Sequence, residues 1–222
     1  MIRAVHSLIE LVYPVMCVGC HAPGSSWCED CRSPPGPQWV HSVPGLDVVA
    51  SGEYTGSLRQ ALLAYKERGN RALGTPLAGR LSSAVTVLGH GVGALDSVLV
   101  PITSRRAVAR QRGGDHMLRL ARIVGVETGA SVVRALQPTS AAVDSAGLTA
   151  AQRAMNQAGQ MVARAPGIIG SPAILIDDIV TTGATLAEAA RALECAGWNV
   201  LGAATVAATR RRRPTRSRPR SL

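Results

Sequence analysis

Residues Ala173 to Leu186 read AILIDDIVTTGATL. The four apolar residues Ala173 to Ile176 make a short run of the kind buried in a parallel sheet. Asp177 and Asp178 follow at once, where a strand is expected to leave the sheet. Ile179 and Val180 then lead into Thr181-Thr182-Gly183-Ala184-Thr185, a turn of small and hydroxyl-bearing residues. Beyond it Leu186, Ala189, Ala190 and Leu193 recur at helical spacing, so the turn feeds a helix N-terminus. In an open α/β sheet, ligands collect where strand ends face such helix starts. Small side chains leave backbone N–H groups to point at an anion, and the helix dipole favours negative charge there. The hydroxyls of Thr181, Thr182 and Thr185 add donors. Two carboxylates beside that cradle repel a bare phosphate, unless the ligand also brings hydroxyls or a divalent cation for them to hold. A phosphorylated sugar with magnesium meets both needs. The plainer alternative is a strand–turn–helix joint whose acids cap the helix.

Apolar run, acid pair, two residues and Thr-Thr-Gly-x-Thr, in that order, resembles the phosphoribosyl-pyrophosphate signature of type I phosphoribosyltransferases. The resemblance implies that Thr181, Thr182, Gly183, Ala184 and Thr185 wrap the 5′-phosphate. It also implies that Asp177 and Asp178, the candidate catalytic acids, face the ribose 2′- and 3′-hydroxyls, with Mg²⁺ accompanying the ligand.

The whole chain bounds what can surround this stretch. Its 222 residues suit one domain of ordinary size with a small appendage. Apolar residues make up 46%, enough for a core, but there is no Phe, so Ala, Val, Leu and Ile must build it. Of the net charge of +10, seven units are arginines between Arg210 and Arg220 with no acid among them, which leaves +3 for the remainder. The basicity is therefore largely a tail, interrupted by proline and expected to be disordered. No run approaches the roughly 18 apolar residues of a membrane span. His6, Ser7 and Glu10 break the first apolar stretch, which argues against a signal peptide and for a cytoplasmic location.

Ile2, Val5, Leu8, Ile9 and Val12 share one face of a short helix that Pro14 stops. Two knuckles come next, Cys17-Val-Gly-Cys20 and Cys28-Glu-Asp-Cys31, with seven residues between them. Paired thiolates at this spacing turn back onto one tetrahedral ion, so Cys17, Cys20, Cys28 and Cys31 form a closed shell for structural Zn²⁺. Two disulfides are the alternative, though cytosolic thiols are kept reduced. His21 is a neighbour rather than a ligand on this reading, and Cys195 is a small core residue of the following helix, Leu186–Ala196. Four prolines in 33–46 mark a linker. The expected organisation is a zinc module and linker over 1–46, the α/β domain over 47–209, and the basic tail over 210–222.

Asp47 to Tyr54 reads as a strand, Leu58–Lys66 and Pro76–Leu88 as helices, and Ser97–Ile102 as a second buried strand. Tyr54-x-Gly56-x-Leu58-Arg59, then Tyr65-Lys66 and Gly69, resembles the segment after the zinc module in ComF/GntX-type proteins. These join a cysteine-rich N-terminus to a type I phosphoribosyltransferase-like domain, an α/β fold with a mainly parallel sheet flanked by helices. Lys66, the only lysine, reads equally as a solvated helix-end charge or as a cation reaching substrate phosphates. Val100-Pro101-Ile102, with its basic follow-on, also resembles the family. That likeness implies that Ile102, Thr103, Ser104 and Arg105 bind the pyrophosphate, where hydroxyl donors and fixed charge suit it. The family's Arg-Gly-Phe-Asn-Gln is replaced by Arg112-Gly113-Gly114-Asp115-His116, which alters whatever those side chains contact.

Leu118–Val126 reads as a helix, Ser131–Arg134 as a third strand, 149–163 as a helix and Trp198–Val206 as the last strand. Gly147, Leu148, Arg153 and Asn156 match the family's variable loop, with Thr149 for its serine and Ser145 where glutamine is usual. Strands alternating with helices give a mainly parallel sheet. The expected function is Mg²⁺-dependent transfer of phosphoribose from phosphoribosyl pyrophosphate to an acceptor. The rival is a non-enzymatic competence factor or ligand sensor that holds nucleic acid through the arginine tail. Scarce aromatics count against it, because single strands are gripped by stacking.

Overall fold

The computed structural model describes residues 14–33, 36–40, 43–90, 97–103, 114–139, 159–164 and 172–209. The first helix, the arginine tail, Ser104 to Gly113 and the matches between Ser145 and Asn156 lie outside them.

Among the described residues, six strands form one sheet in the order β1-β2-β8-β7-β3-β4. They are β1 (Gln38–Trp39), β2 (Val48–Ala50), β3 (Val98–Pro101), β4 (Ser131–Val132), β7 (Ala173–Val180) and β8 (Val200–Ala208). All neighbours run parallel except β1, which pairs antiparallel with β2 at the edge. A separate antiparallel pair joins β5 (Leu136–Pro138) to β6 (Met161–Ala163).

The pleat sorts the core. Val49, Leu99, Ile174, Ile176, Ala204 and Val206 face one layer, made by helices α2 (Gly56–Lys66), α3 (Gly74–Leu88) and α4 (His116–Thr128). Ala50, Val98, Val100, Leu175 and Ala203 face the other layer, made by α5 (Ala184–Glu194). Strands buried on both faces need continuous apolar runs, and the Ala173–Ile176 run is one. With no Phe available, the alanines of β8 let both layers approach closely. A four-residue helix, α1 (Glu29–Arg32), completes the cysteine module. Ser57 Oγ of α2 donates to the Cys31 carbonyl at 2.7 Å, and Arg80 of α3 donates to the carbonyls of Arg32 and Ser51. These bonds fix the module to the helical layer. No helix among the described residues is long and apolar enough to cross a membrane.

Several sequence expectations need correction. β7 does not end before the acids but continues to Val180, because β8 runs beside it as far as Val180 opposite Ala208. Residues 161–163, expected to close a helix, are strand β6. Gln38–Trp39, inside the proline-marked linker, adds an edge strand to the sheet. Cys195 is exposed at the end of α5, with Arg191 Nη1 3.7 Å from its sulfur, and is not a core residue.

Candidate functional site

The direction in which successive strands are added to the sheet reverses between β3 and β7. From β3 the chain passes through α4 to β4 on one side, and from β7 through α5 to β8 on the other. The two crossover helices accordingly lie on opposite faces, and a crevice opens at the carboxyl ends of β3 and β7. β3 stops pairing at Pro101 opposite Ile176, with a last bond from Ile102 N–H to the Ile176 carbonyl. β7 therefore overhangs its neighbour by four residues, Asp177 to Val180. That overhang forms one wall of a pocket of about 350 Å³, lined by Lys66, Thr103, His116, Asp177, Asp178 and Thr185, with apolar residues from the end of β3 (Ile102, just beyond it), α4 and the β5–β6 pair.

Successive strand residues point to opposite faces, so the acid pair is split. Asp178 shares the face of Ile174 and Ile176, under the helices, and is 6% exposed. Lys66, the last residue of α2, donates from Nζ to Asp178 Oδ2 at 2.5 Å. His116, the first residue of α4, places Nε2 3.1 Å from the same oxygen. Burial alone would raise the Asp178 pKa, but the His116 hydrogen bond and the Lys66 charge outweigh it and hold the carboxyl below the ordinary range. Asp177, half-buried, goes the other way: burial, then the adjacent Asp178 carboxylate, push it well above the usual value. Neighbouring carboxylates thus carry opposed tendencies, one fixed as an anion and one inclined to hold a proton.

The turn after β7 reaches the pocket through Thr185, while Thr181, Thr182, Gly183 and Ala184 are not among its lining residues. Gly183 has φ 80°, in the left-handed region that favours glycine, and is the N-cap of α5. Neither acid caps this helix. Thr181 and Thr182 are exposed, Ala184 and Thr185 half-buried, and the Ala184 N–H lies 3.4 Å from Thr182 Oγ1. Val43, from the stretch before β2, packs directly on Gly183: a Cβ there would stand 2.1 Å from Val43 Cγ2.

Of the residues singled out from sequence, Asp177, Asp178, Thr185, Ile102, Thr103 and Lys66 meet in this pocket. Ser104 and Arg105 fall outside the described residues. Lys66 lines this pocket with its ammonium paired to Asp178, so it is not a purely solvated helix-end charge. His116 was visible in the sequence only as a departure from a pattern. Asp115 gave the missing signal: as N-cap of α4, its carboxylate accepts from Leu118 N–H at 3.0 Å, which sets His116 at the helix start facing the strand ends.

Glu188, also missed, is 5% exposed on α5. It accepts from Met161 N–H at 3.1 Å and from Arg191 Nε and Nη2, both at 2.7 Å, tying β6 to the helix that carries the turn. Burial raises its pKa, but the bonds from Arg191 and Met161 prevail and lower it. A depressed carboxylate pKa adds stability that is fully present above the unfolded value of about 4.3 and lost as pH falls from there through the lower folded value. Glu188→Gln is expected to cost about 1–3 kcal/mol at pH 7. In urea unfolding at a series of pH values, its deficit against the wild type should shrink below about pH 4. A deficit that grows with acidity would contradict the assignment.

At the other end, the four sulfurs of Cys17, Cys20, Cys28 and Cys31 lie within 4.8 Å of one another, and Cys28 Sγ is 3.6 Å from both Cys17 and Cys20 Sγ. Those spacings match the edge of about 3.8 Å of a tetrahedron with metal–sulfur bonds of about 2.3 Å, and all four are free thiols rather than disulfides. Burial would raise Cys17, but N–H donors from Cys20, Cys28 and Gly19 bring it down to about 6. Cys31 is pushed up to about 12, first by Cys28 and also by burial and the other two thiols. Crowded sulfurs that resist joint ionisation need a cation among them, so the cluster can hold a structural metal such as zinc. His21 stands outside the cluster.

Residues 119–220 match the family model of the phosphoribosyl transferase domain. That span runs from the body of α4 through β7, the turn, α5 and β8. The mostly parallel, helix-flanked sheet agrees with the type I form of that fold. No curated protein matches the chain.

Proposed function

We propose that this chain binds phosphoribosyl pyrophosphate with magnesium at the β3–β7 crevice and transfers phosphoribose to an acceptor, releasing pyrophosphate. On this reading it is a ComF/GntX-type protein whose four-cysteine module carries zinc. The observation that supports the reading best is convergence. Thr185 from the turn at the α5 N-terminus, the acid pair and Thr103 all line one pocket at the switch point of the sheet.

Residues 181–185 would take the 5′-phosphate on backbone N–H groups and threonine hydroxyls. Asp177 and Asp178 would receive ribose hydroxyls or metal-bound water, and Thr103 with the following Ser104 and Arg105 would hold the leaving pyrophosphate. Magnesium supplies charge neutralisation for that leaving group when bound. The residues themselves orient the sugar and stabilise developing charge, so no single general base is demanded.

Converting Asp177 and Asp178 together to Asn tests this. The change keeps size and removes charge, and calorimetric titration in magnesium should show affinity falling at least about tenfold, or 1.4 kcal/mol. Unchanged affinity would remove the ribose site, since neither acid has a helix to cap.

A further inference from the structure

Lys66 ends an eleven-residue helix, where the carbonyl dipoles favour a cation and water is normally close. Its side chain instead turns inward, 26% exposed, to a carboxylate whose side chain is 8% exposed. Both cation-capable neighbours of Asp178, Lys66 and His116, approach the same oxygen, Oδ2. The Tyr65 hydroxyl donates to the His116 carbonyl at 3.3 Å, so the end of α2 and the start of α4 are held together around that oxygen. His116 Nδ1, buried in the pocket wall, has no hydrogen-bond partner among the described residues. The arrangement sets an ammonium against Asp178 in the wall of the pocket that both residues line.

We propose that Lys66 is the built-in counter-cation of Asp178 and lets the sugar-phosphate half of the ligand dock without a divalent ion. This rests on the reading of the pocket as a phosphoribose site. An acid pair alone repels an incoming phosphate, and a divalent cation is the usual remedy. Here an ammonium already occupies that electrostatic position, at hydrogen-bond distance and partly shielded from solvent. The metal is then needed for the pyrophosphate half, not for the ribose 5-phosphate half. A lysine suits the role because its compact charge sits on a flexible stem and can shift as ribose hydroxyls arrive.

Ribose 5-phosphate, which lacks the pyrophosphate, is the probe. Its affinity for the wild type should differ less than about threefold between EDTA and excess magnesium. In Lys66→Met the EDTA affinity should fall at least about tenfold and magnesium should restore most of it, while Lys66→Arg, which keeps the charge, should stay within about threefold of wild type. Because Lys66 is the only lysine, lysine-labelled protein gives one side-chain NMR signal, and that signal should move on adding ribose 5-phosphate in EDTA. Wild-type binding in magnesium alone would overturn the proposal and leave the phosphoribose site standing. No binding in either buffer would overturn both. Full EDTA affinity in Lys66→Met would reduce Lys66 to a structural ion pair. Should that variant not fold, the wild-type comparison and the NMR signal decide the matter.

Discussion

Gly183→Val is expected to abolish phosphoribosyl-pyrophosphate binding, lowering affinity by more than about a hundredfold. Two independent costs fall on one residue. The φ of 80° costs an L-residue about 1–2 kcal/mol, and more when the side chain is β-branched. The new Cβ would also stand 2.1 Å from Val43 Cγ2, far inside contact distance, so Val43 or the turn must move. Overpacking of that kind typically costs about 1–3 kcal/mol. If the turn gives way, its N–H groups lose their common aim; if Val43 gives way, the stretch before β2 lifts from the sheet end. Calorimetry and thermal melting separate the effects. Adding Val43→Ala to Gly183→Ala should recover part of the melting temperature without recovering binding, because the backbone strain stays. A folded Gly183→Val protein with full affinity would show that the turn is not the anion cradle.

Cys28→Ser carries the second large effect. The purified wild type should contain about one zinc per chain and the variant essentially none. Structural zinc contributes on the order of 10 kcal/mol to modules of this kind, far more than so small a core can replace. Trp27, next to Cys28, is 2% exposed and belongs to the same apolar cluster as Leu58 and Ala61 of α2. Its fluorescence should shift to the red on chelation and be red-shifted in the variant from the start. Equal zinc content in wild type and variant would overturn the four-sulfur site.

Long periodic segments were legible. The helices read from sequence at 58–66, 76–88 and 118–126 lie within those of the structure at 56–66, 74–88 and 116–128, and Ala173–Ile176 shows as an unbroken apolar run. What was not legible depends on partners. Asp177 to Val180 remains strand because β8 is there to pair with it, and nothing in those four residues says so. Met161–Ala163 is too short to carry a period. Pro34 to Pro44 read as linker, yet Trp39 finds an edge and Val43 finds a glycine with no side chain of its own. Lys66 and His116 lie fifty residues apart and reach one carboxylate oxygen only after α2 and α4 have packed on the same face of β7. Side-chain proximity of that kind has no local signature, so the acid pair could be recognised while its counter-ions could not.

The strand order also has a consequence for synthesis. By the time residue 132 has been made, β2, β3 and β4 exist, but β2 and β3 share no edge: the places between them belong to β7 and β8. The nascent chain therefore holds a sheet with its middle missing, while the cysteine module, whose ligands span only residues 17 to 31, can close locally. The pairings that finish the sheet join residues as distant as Val48 and Ala203, the kind of contact that folds slowly. The last two strands to be translated insert at the centre, and the same insertion delivers Asp177, Asp178 and the glycine turn to their partners. Assembly of the crevice and completion of the fold are then one kinetic event, and a nascent chain stalled before β8 should be aggregation-prone as well as inactive.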